Sequence, residues 1–312
     1  MIKMYITSNN EIVETDTIVD GVWINMVNPT LKEVNEIATT LNVDVDFINA
    51  ALDEEERSRI EIDDDNNHFL ILVDTPCISK DRESNIYETL PIGIISTDKA
   101  IITVSLNDTL VLEPFIKNRV KTFYTYKRAR FILQILYKNA SLYLYFLKRI
   151  DKQSNIIENE LHKSMKNKEL IQLLTLEKSL VYFSTSLKSN ELVMEKLLRY
   201  DFIKKYDEDK ELLEDTIIEN KQAIEMAKIY SDILAGTMDA FASIISNNLN
   251  IVMKVLTSIT IIMAIPTIVS SFFGMNVPVP FSDNPLAFLW IILGSVGICL
   301  LVVKIMSKKD MF

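Results

Sequence analysis

Val255-Leu256-Thr257-Ser258-Ile259-Thr260-Ile261-Ile262-Met263-Ala264-Ile265-Pro266-Thr267-Ile268-Val269-Ser270-Ser271-Phe272-Phe273-Gly274-Met275-Asn276 is the stretch that decides the architecture. From Val255 to Phe273 it carries no charge, and as a helix it is long enough to cross a hydrocarbon layer about 30 Å thick. One face sets it apart from a plain anchor. Stepping by three and four from Asp239 gives Ser243, Ser246, Asn250, Met253, Thr257, Thr260, Ala264, Thr267 and Ser271. A helix gathers these positions on one side, while Ile259, Ile261, Ile262, Ile265, Ile268 and Val269 fall elsewhere. Small and hydroxyl side chains let membrane helices pack closely. The other explanation is a wall facing water, because polar groups inside a bilayer face a bundle interior or an aqueous path.

Composition bounds the rest. A length of 312 residues allows about two domains. Hydrophobic residues make up 48% of the chain and mean hydropathy is +0.16, which fits a large water-soluble part joined to a small membrane part. A net charge of -10 and a pI near 4.9 argue against nucleic acid as a partner and suit the attraction of cations. Six glycines leave little room for a Gly-rich phosphate loop. No nucleophile–base constellation stands out, so the chain does not read as an enzyme. Cys77 and Cys299 lie far apart and form neither a disulfide framework nor a zinc motif.

Residues 1–120 read as a mixed α/β domain. Strands are expected at Met4–Thr7, Val22–Met26, Phe69–Val73, Ile92–Ser96 and Ala100–Ser105, all short and rich in β-branched residues. Thr30 with Glu33 three residues later signals a capped helix over Leu31–Leu41, and a short helix follows over Val45–Leu52. The acidic runs Asp53–Glu56 and Glu61–Asp65 read as solvated loop and hairpin edge. Residues 121–254 read as a stalk of long helices leading into the first apolar stretch. The expected helices are Leu110–Arg119, Lys127 to about Lys166, and Glu169 to about Lys204, with turns at Asn167 and Lys205–Asp209. Leu133, Leu136, Ala140, Tyr143 and Leu147 repeat as a packed seam does. The last long helix starts near Lys210 and meets no breaker before Pro266; continued to Ser271 it would be roughly 90 Å long. Pro266 sits mid-span, where a proline kinks a helix and exposes backbone carbonyls.

Residues 255–312 read as the membrane part: a first span 255–273, an outer loop 274–285, a second span Leu286–Val303 and a tail 304–312. Gly294 and Gly297 in the second span are expected to allow close helix contact. Lys304, Lys308 and Lys309 follow that span, so the positive-inside rule places the C-terminus, and with two spans the N-terminus, in the cytoplasm.

Ser271-Phe272-Phe273-Gly274-Met275-Asn276 after the first span, with a second span close behind, resembles the GMN signature of the CorA family of divalent-cation transporters. Ser246 to Thr257 looks like that family's pore-helix entrance, and the likeness is close from about Asp215 to Phe312. The resemblance implies a homopentameric funnel in the cytoplasmic membrane. It implies an α/β cytosolic domain, a long helical stalk and two C-terminal transmembrane helices. The implied activity is influx of hydrated Mg2+, with Co2+ or Ni2+ also accepted, gated by intracellular divalent cation and with no organic cofactor. Gly274, Met275 and Asn276 would form the selectivity filter, with Asn276 binding the hydrated ion through its amide oxygen. Asn250, Met253, Leu256 and Thr267 would line or gate the pore along with Thr260 and Ala264, and Asp239 would form an acidic ring at the inner end. Ala264 and Ile265 stand where the family usually has a second Met and a Pro. A metal-sensing site between neighbouring subunits would use Asp215, but its usual partner position is Ala50 here, which leaves Asp53 as the nearby acid. Two other readings stay open at this level: a zinc transporter sharing GMN, and a membrane-tethered coiled-coil scaffold that transports nothing. Only His68 and His162 are present, and neither lies on the polar face, which gives soft-ligand selectivity little support.

Overall fold

The computed structural model describes residues 1–63, 66–79, 87–164, 167–200, 206–276 and 286–308. Asp64 and Asp65 of the second acidic run, most of the expected outer loop and Lys309 lie outside the described residues. The chain divides into two compact units, Met1–Thr237 and Met238–Phe312.

The first unit is built on seven strands: β1 (Ile2–Ser8), β2 (Glu11–Glu14), β3 (Val22–Val27), β4 (Arg59–Asp63), β5 (His68–Ile78), β6 (Tyr87–Ser96) and β7 (Ala100–Ser105). They form one sheet in the order β2-β1-β3-β7-β6-β5-β4. Among these strands only the β3–β7 pair is parallel; the other neighbours are antiparallel. The period-two alternation of a strand sends successive side chains to opposite faces, and here both faces are covered. Leu70, Leu72, Ile102 and Val104 join a core under α1 (Leu31–Leu41) and α2 (Val45–Ala50). Ile71, Val73, Ile94 and Ile101 join the core on the other face, under the long helices. The result is a three-layer α/β/α arrangement.

Local signals carry the first helix. Thr30 accepts from the Glu33 backbone while the Glu33 side chain accepts from Thr30 N at 2.7 Å, a complete capping box. The bonds that Thr30 N and Thr30 Oγ1 donate to the Glu33 carboxyl hold it below the usual carboxylate range. Asn42 ends the helix in the left-handed region at φ 54°, which asparagine tolerates. Gly93 in β6 is required by close approach, because a Cβ there would lie 2.6 Å from Ala51 Cβ at the end of α2.

On the other face lie α3 (Glu113–Ile116), α4 (Arg128–Ser164), α5 (Asn167–Leu197) and the start of α6 (Asp207–Phe273). The expected helix over Leu110–Arg119 is cut to one turn. Pro114 stands at the start of that turn, where its missing N–H costs nothing, and Lys117 already leaves helical geometry. Asn167, expected in a turn, is the first residue of α5, and Asp207–Asp209 open α6 rather than precede it. Leu133, Leu136, Ala140, Tyr143 and Leu147 are all buried, as their spacing predicts.

One polar joint ties the sheet to the helices. The Asp74 carbonyl accepts from Asn139 Nδ2 at 2.7 Å, Asn190 Nδ2 at 2.8 Å and Tyr143 Oη at 3.2 Å. Asp74 N donates to Asn190 Oδ1 at 2.9 Å. Burial pushes the Asp74 carboxyl above its usual range, opposed by hydrogen bonds from Ser186 and Ser58. Burial likewise raises the Tyr143 phenol well above its ordinary value, with Asp74 adding to the effect.

Candidate functional site

The second unit comprises the remainder of α6 and α7 (Ala287–Lys308). Both helices are long and apolar enough to cross a membrane, and their most apolar stretches are almost wholly unburied in a single chain. Water would not tolerate so much exposed Ile, Leu and Phe; a hydrocarbon layer would.

Burial along each helix shows which faces meet. On α6, Ser258 is buried and Ile262, Ile265 and Val269 are partly so, whereas most of their neighbours are exposed. On α7 the partly covered residues include Ala287, Ile291, Ser295, Cys299 and Val302, and Met306 is buried. Spacings of three and four make each set a single face. Cys299 Sγ donates to Ile262 O at 3.7 Å across this seam. Gly294 and Gly297 were expected to provide the close contact, yet a Cβ at either would meet nothing within 4 Å. Neither is in close contact with α6 of the same chain, and Ala287, Ser295 and Cys299 are the partly covered small residues of α7.

The polar stripe lies on the side that α7 leaves uncovered. At about 100° per residue, Thr260, Ala264 and Thr267 point opposite to Ser258, Ile262, Ile265 and Val269. Asp239, Ser243, Ser246, Asn250, Met253, Thr257, Thr260, Ala264, Thr267 and Ser271 are all exposed, and Leu256 is 57% exposed on the flank of the same face. Packing against the second helix of the same chain therefore does not explain the stripe. Three of its hydroxyls are oriented by the helix itself. Ser243 Oγ donates to Asp239 O at 3.1 Å, Thr260 Oγ1 to Leu256 O at 2.8 Å and Thr267 Oγ1 to Met263 O at 3.1 Å. With the protons of these three committed to a carbonyl four residues back, their oxygens present lone pairs outward.

At the end of the stripe the chain leaves the helix. Gly274 N donates to Ser270 O at 2.9 Å and Met275 N to Phe272 O at 3.4 Å. A Cβ on Gly274 would stand 3.3 Å from Ser270 O, so the turn is tight against its own helix and a side chain there would press on that carbonyl. Met275 and Asn276 are exposed beyond it.

In the first unit, Asp215 on α6 and Asp53 after α2 are both exposed, and Asp53 Oδ1 accepts from Glu55 N at 3.0 Å. Ala50 is part of the core against the sheet, while Asp46 and Asn49 face outward on the same short helix. Asp46 was not singled out from the sequence, although an acid three residues before Asn49 on one helical face was there to be read. Among the described residues no three His, Cys, Asp or Glu side chains cluster to hold a metal ion.

An α/β unit followed by two apolar helices, one with an uncovered polar face ending in Gly274-Met275-Asn276, defines a class: two-span membrane transporters rather than enzymes. The chain belongs to the CorA family, since the family described as CorA-like Mg2+ transporter protein matches residues 20–308. The cobalt/magnesium transport protein CorA of Methanocaldococcus jannaschii is 25% identical over 299 residues, covering 93% of this chain and 90% of the relative. The complete structure of the CorA magnesium transporter from that organism superposes with a TM-score of 0.85 at 24% identity, covering 100% of this chain and 99% of the other. The cytoplasmic domain of ZntB from Vibrio parahaemolyticus shares the fold at a TM-score of 0.59 and 12% identity, covering 79% of this chain and 96% of the other.

Proposed function

We propose that several copies of this chain, five by the family resemblance, close a ring around the α6 stripe and conduct hydrated Mg2+ inward across the cytoplasmic membrane. The observation that carries this reading is the polar face of α6 left bare on the side opposite α7. One stripe cannot enclose a path, and a ring of copies turns it into a wall. The chemistry suits the cargo. Mg2+ is small, keeps six waters in an octahedron and dehydrates reluctantly. Water bound to a cation offers its protons outward, and the stripe answers with hydroxyl lone pairs and the Asn250 amide.

Asn276 at the outer mouth selects ions through its amide oxygen, a neutral acceptor that holds bridging water without trapping the ion. Met275 orients that loop. Met253 and Leu256 form an apolar gate, which blocks ions by dewetting, and Asp239 gathers cations at the inner end. An inside-negative potential draws a divalent ion inward by about 4.6 kcal/mol per 100 mV, twice the single-charge value. Both termini face the cytoplasm, supported by Lys304 and Lys308 at the end of α7. Residues 1–120, 121–254 and 255–312 act as sensing domain, stalk and membrane part. Co2+ and Ni2+ pass by the same hydrated route.

Regulation uses exposed carboxylates contributed by neighbouring copies. Asp215 of one chain and Asp53 of the next bind intracellular Mg2+ more tightly in the closed ring than in the open one, which is the condition for closing it. Ala50 is committed to core packing, so the acid must come from the outward side of α2 or just after it. Ion flux into liposomes containing only this protein, compared for Mg2+, Co2+, Ni2+ and Zn2+, tests the reading. Mg2+ uptake is expected; tight vesicles with correctly assembled protein and no flux of any of the four ions would refute it.

A further inference from the structure

Pro266 lies inside α6 and has no backbone N–H. In a regular helix that N–H would be donated to the carbonyl four residues back, and four back from Pro266 is Ile262. Within a hydrocarbon layer an unmet carbonyl costs several kcal/mol, and neighbouring helices commonly supply the missing donor. The Ile262 carbonyl is the one that receives Cys299 Sγ of α7, at 3.7 Å. We propose that Cys299 is the donor that replaces the N–H missing at Pro266, and that this bond pins the second span to the pore helix at the turn where its own ladder is broken.

Two independent features meet at one atom. The break comes from the covalent chemistry of proline and would exist whatever α7 did. The donor comes from packing: Cys299 sits in the seam with Ser295 and Val302, and Ile262 is partly buried opposite it. A thiol is a weak donor, yet it is small enough to lie in a close helix seam. Thr260 and Thr267 flank the same turn, but their hydroxyls go to Leu256 O and Met263 O and face the stripe. They leave the Ile262 carbonyl, on the opposite side, to α7. Cys299 is thus a positioning residue: it acts on the polar face by holding the backbone behind it. This role rests on the reading of α6 as a pore helix, whereas the bond itself does not.

A double-mutant cycle tests the bond. Full-length protein in mixed micelles is titrated with SDS, comparing wild type, Cys299→Ala, Pro266→Ala and the double variant. Cys299→Ala is expected to shift the unfolding equilibrium about threefold in the native background, the size of an average interhelical hydrogen bond in a membrane protein. In the Pro266→Ala background, where the backbone serves its own carbonyl, the same change should cost little. Cys299→Ser, which keeps a donor, should retain native stability, and Cys299→Val, which fills the space without one, should not. Equal costs of Cys299→Ala in both backgrounds would mean simple packing and overturn the proposal. So would a silent Cys299→Ala, or equal behaviour of the Ser and Val variants, which also decides the matter if Pro266→Ala fails to assemble. Mg2+ uptake by the wild type in liposomes is measured alongside; its absence would overturn the pore reading while the cycle still judged the bond.

Discussion

Gly93→Ala offers a sharp test of how α2 is seated on the sheet. A Cβ at position 93 would stand 2.6 Å from Ala51 Cβ, with Leu70 Cδ1 at 3.6 Å and Leu72 Cδ1 at 3.8 Å. Two methyl carbons need about 3.5–4.0 Å, so α2 must retreat by roughly 1 Å or β6 must bend. Both sides of the contact are fully buried and paired, β6 between β5 and β7 and Ala51 at 0% exposure, so neither gives way freely. Overpacking of this kind costs about 1–3 kcal/mol. For a unit of this size each kcal/mol lowers the melting temperature by about 2–4 °C, so a drop of roughly 2–12 °C is expected. Circular dichroism melts of the wild type, Gly93→Ala and Gly93→Ala/Ala51→Gly check it. The second change removes the opposing methyl and should recover most of the loss. A Gly93→Ala melt within about 1 °C of the wild type, or no recovery in the double variant, would show that the contact does not seat α2 as described.

Asn276→Ala is expected to abolish Mg2+ uptake in purified vesicles while leaving assembly unchanged by size-exclusion chromatography; normal uptake would remove Asn276 from the mechanism. Asp215→Asn should move inhibition by internal Mg2+ to higher concentrations without altering ion ranking, and superimposable inhibition curves would sink the sensor role. Asp74→Asn addresses pH. A carboxyl raised by burial in the folded chain contributes stability that is fully present below its unfolded value, about 3.9, and lost as pH rises through the folded value. The wild type should therefore lose stability across that window and Asp74→Asn should lose less, as read from melts at graded pH; parallel profiles would contradict the assignment.

Much of this molecule was legible in local pattern. Backbone hydrogen bonds in a helix run between near neighbours, so the capping box at Thr30 and Glu33, the seam from Leu133 to Leu147 and both apolar spans could be read from spacing. The five expected strands carried the same kind of signal, alternation of β-branched residues. The edge strands β2 and β4 did not, because an edge is half solvated and its residues, Glu11 and Glu14 or Arg59 and Glu61, look like loop. The run over Leu110–Arg119 was apolar enough for a helix but folds as one turn and a loop, its burial of Val111, Leu112 and Phe115 coming from docking rather than from period.

Spacing along the chain settles which side chains share a face, whereas the neighbour that each face meets is settled by packing in three dimensions. Periodicity puts Asp239 to Ser271 on one stripe, but it could not say whether α7 covers that stripe or the opposite side. Ala50 carries no mark of being buried rather than offered to a metal, and Gly294 and Gly297 carry none of lacking a close contact with α6 of the same chain. The missing donor at Pro266 was implied by covalent structure alone. That Cys299 answers it depends on two helices coming together, an arrangement set by the packing of side chains far apart in the chain, which no local spacing records.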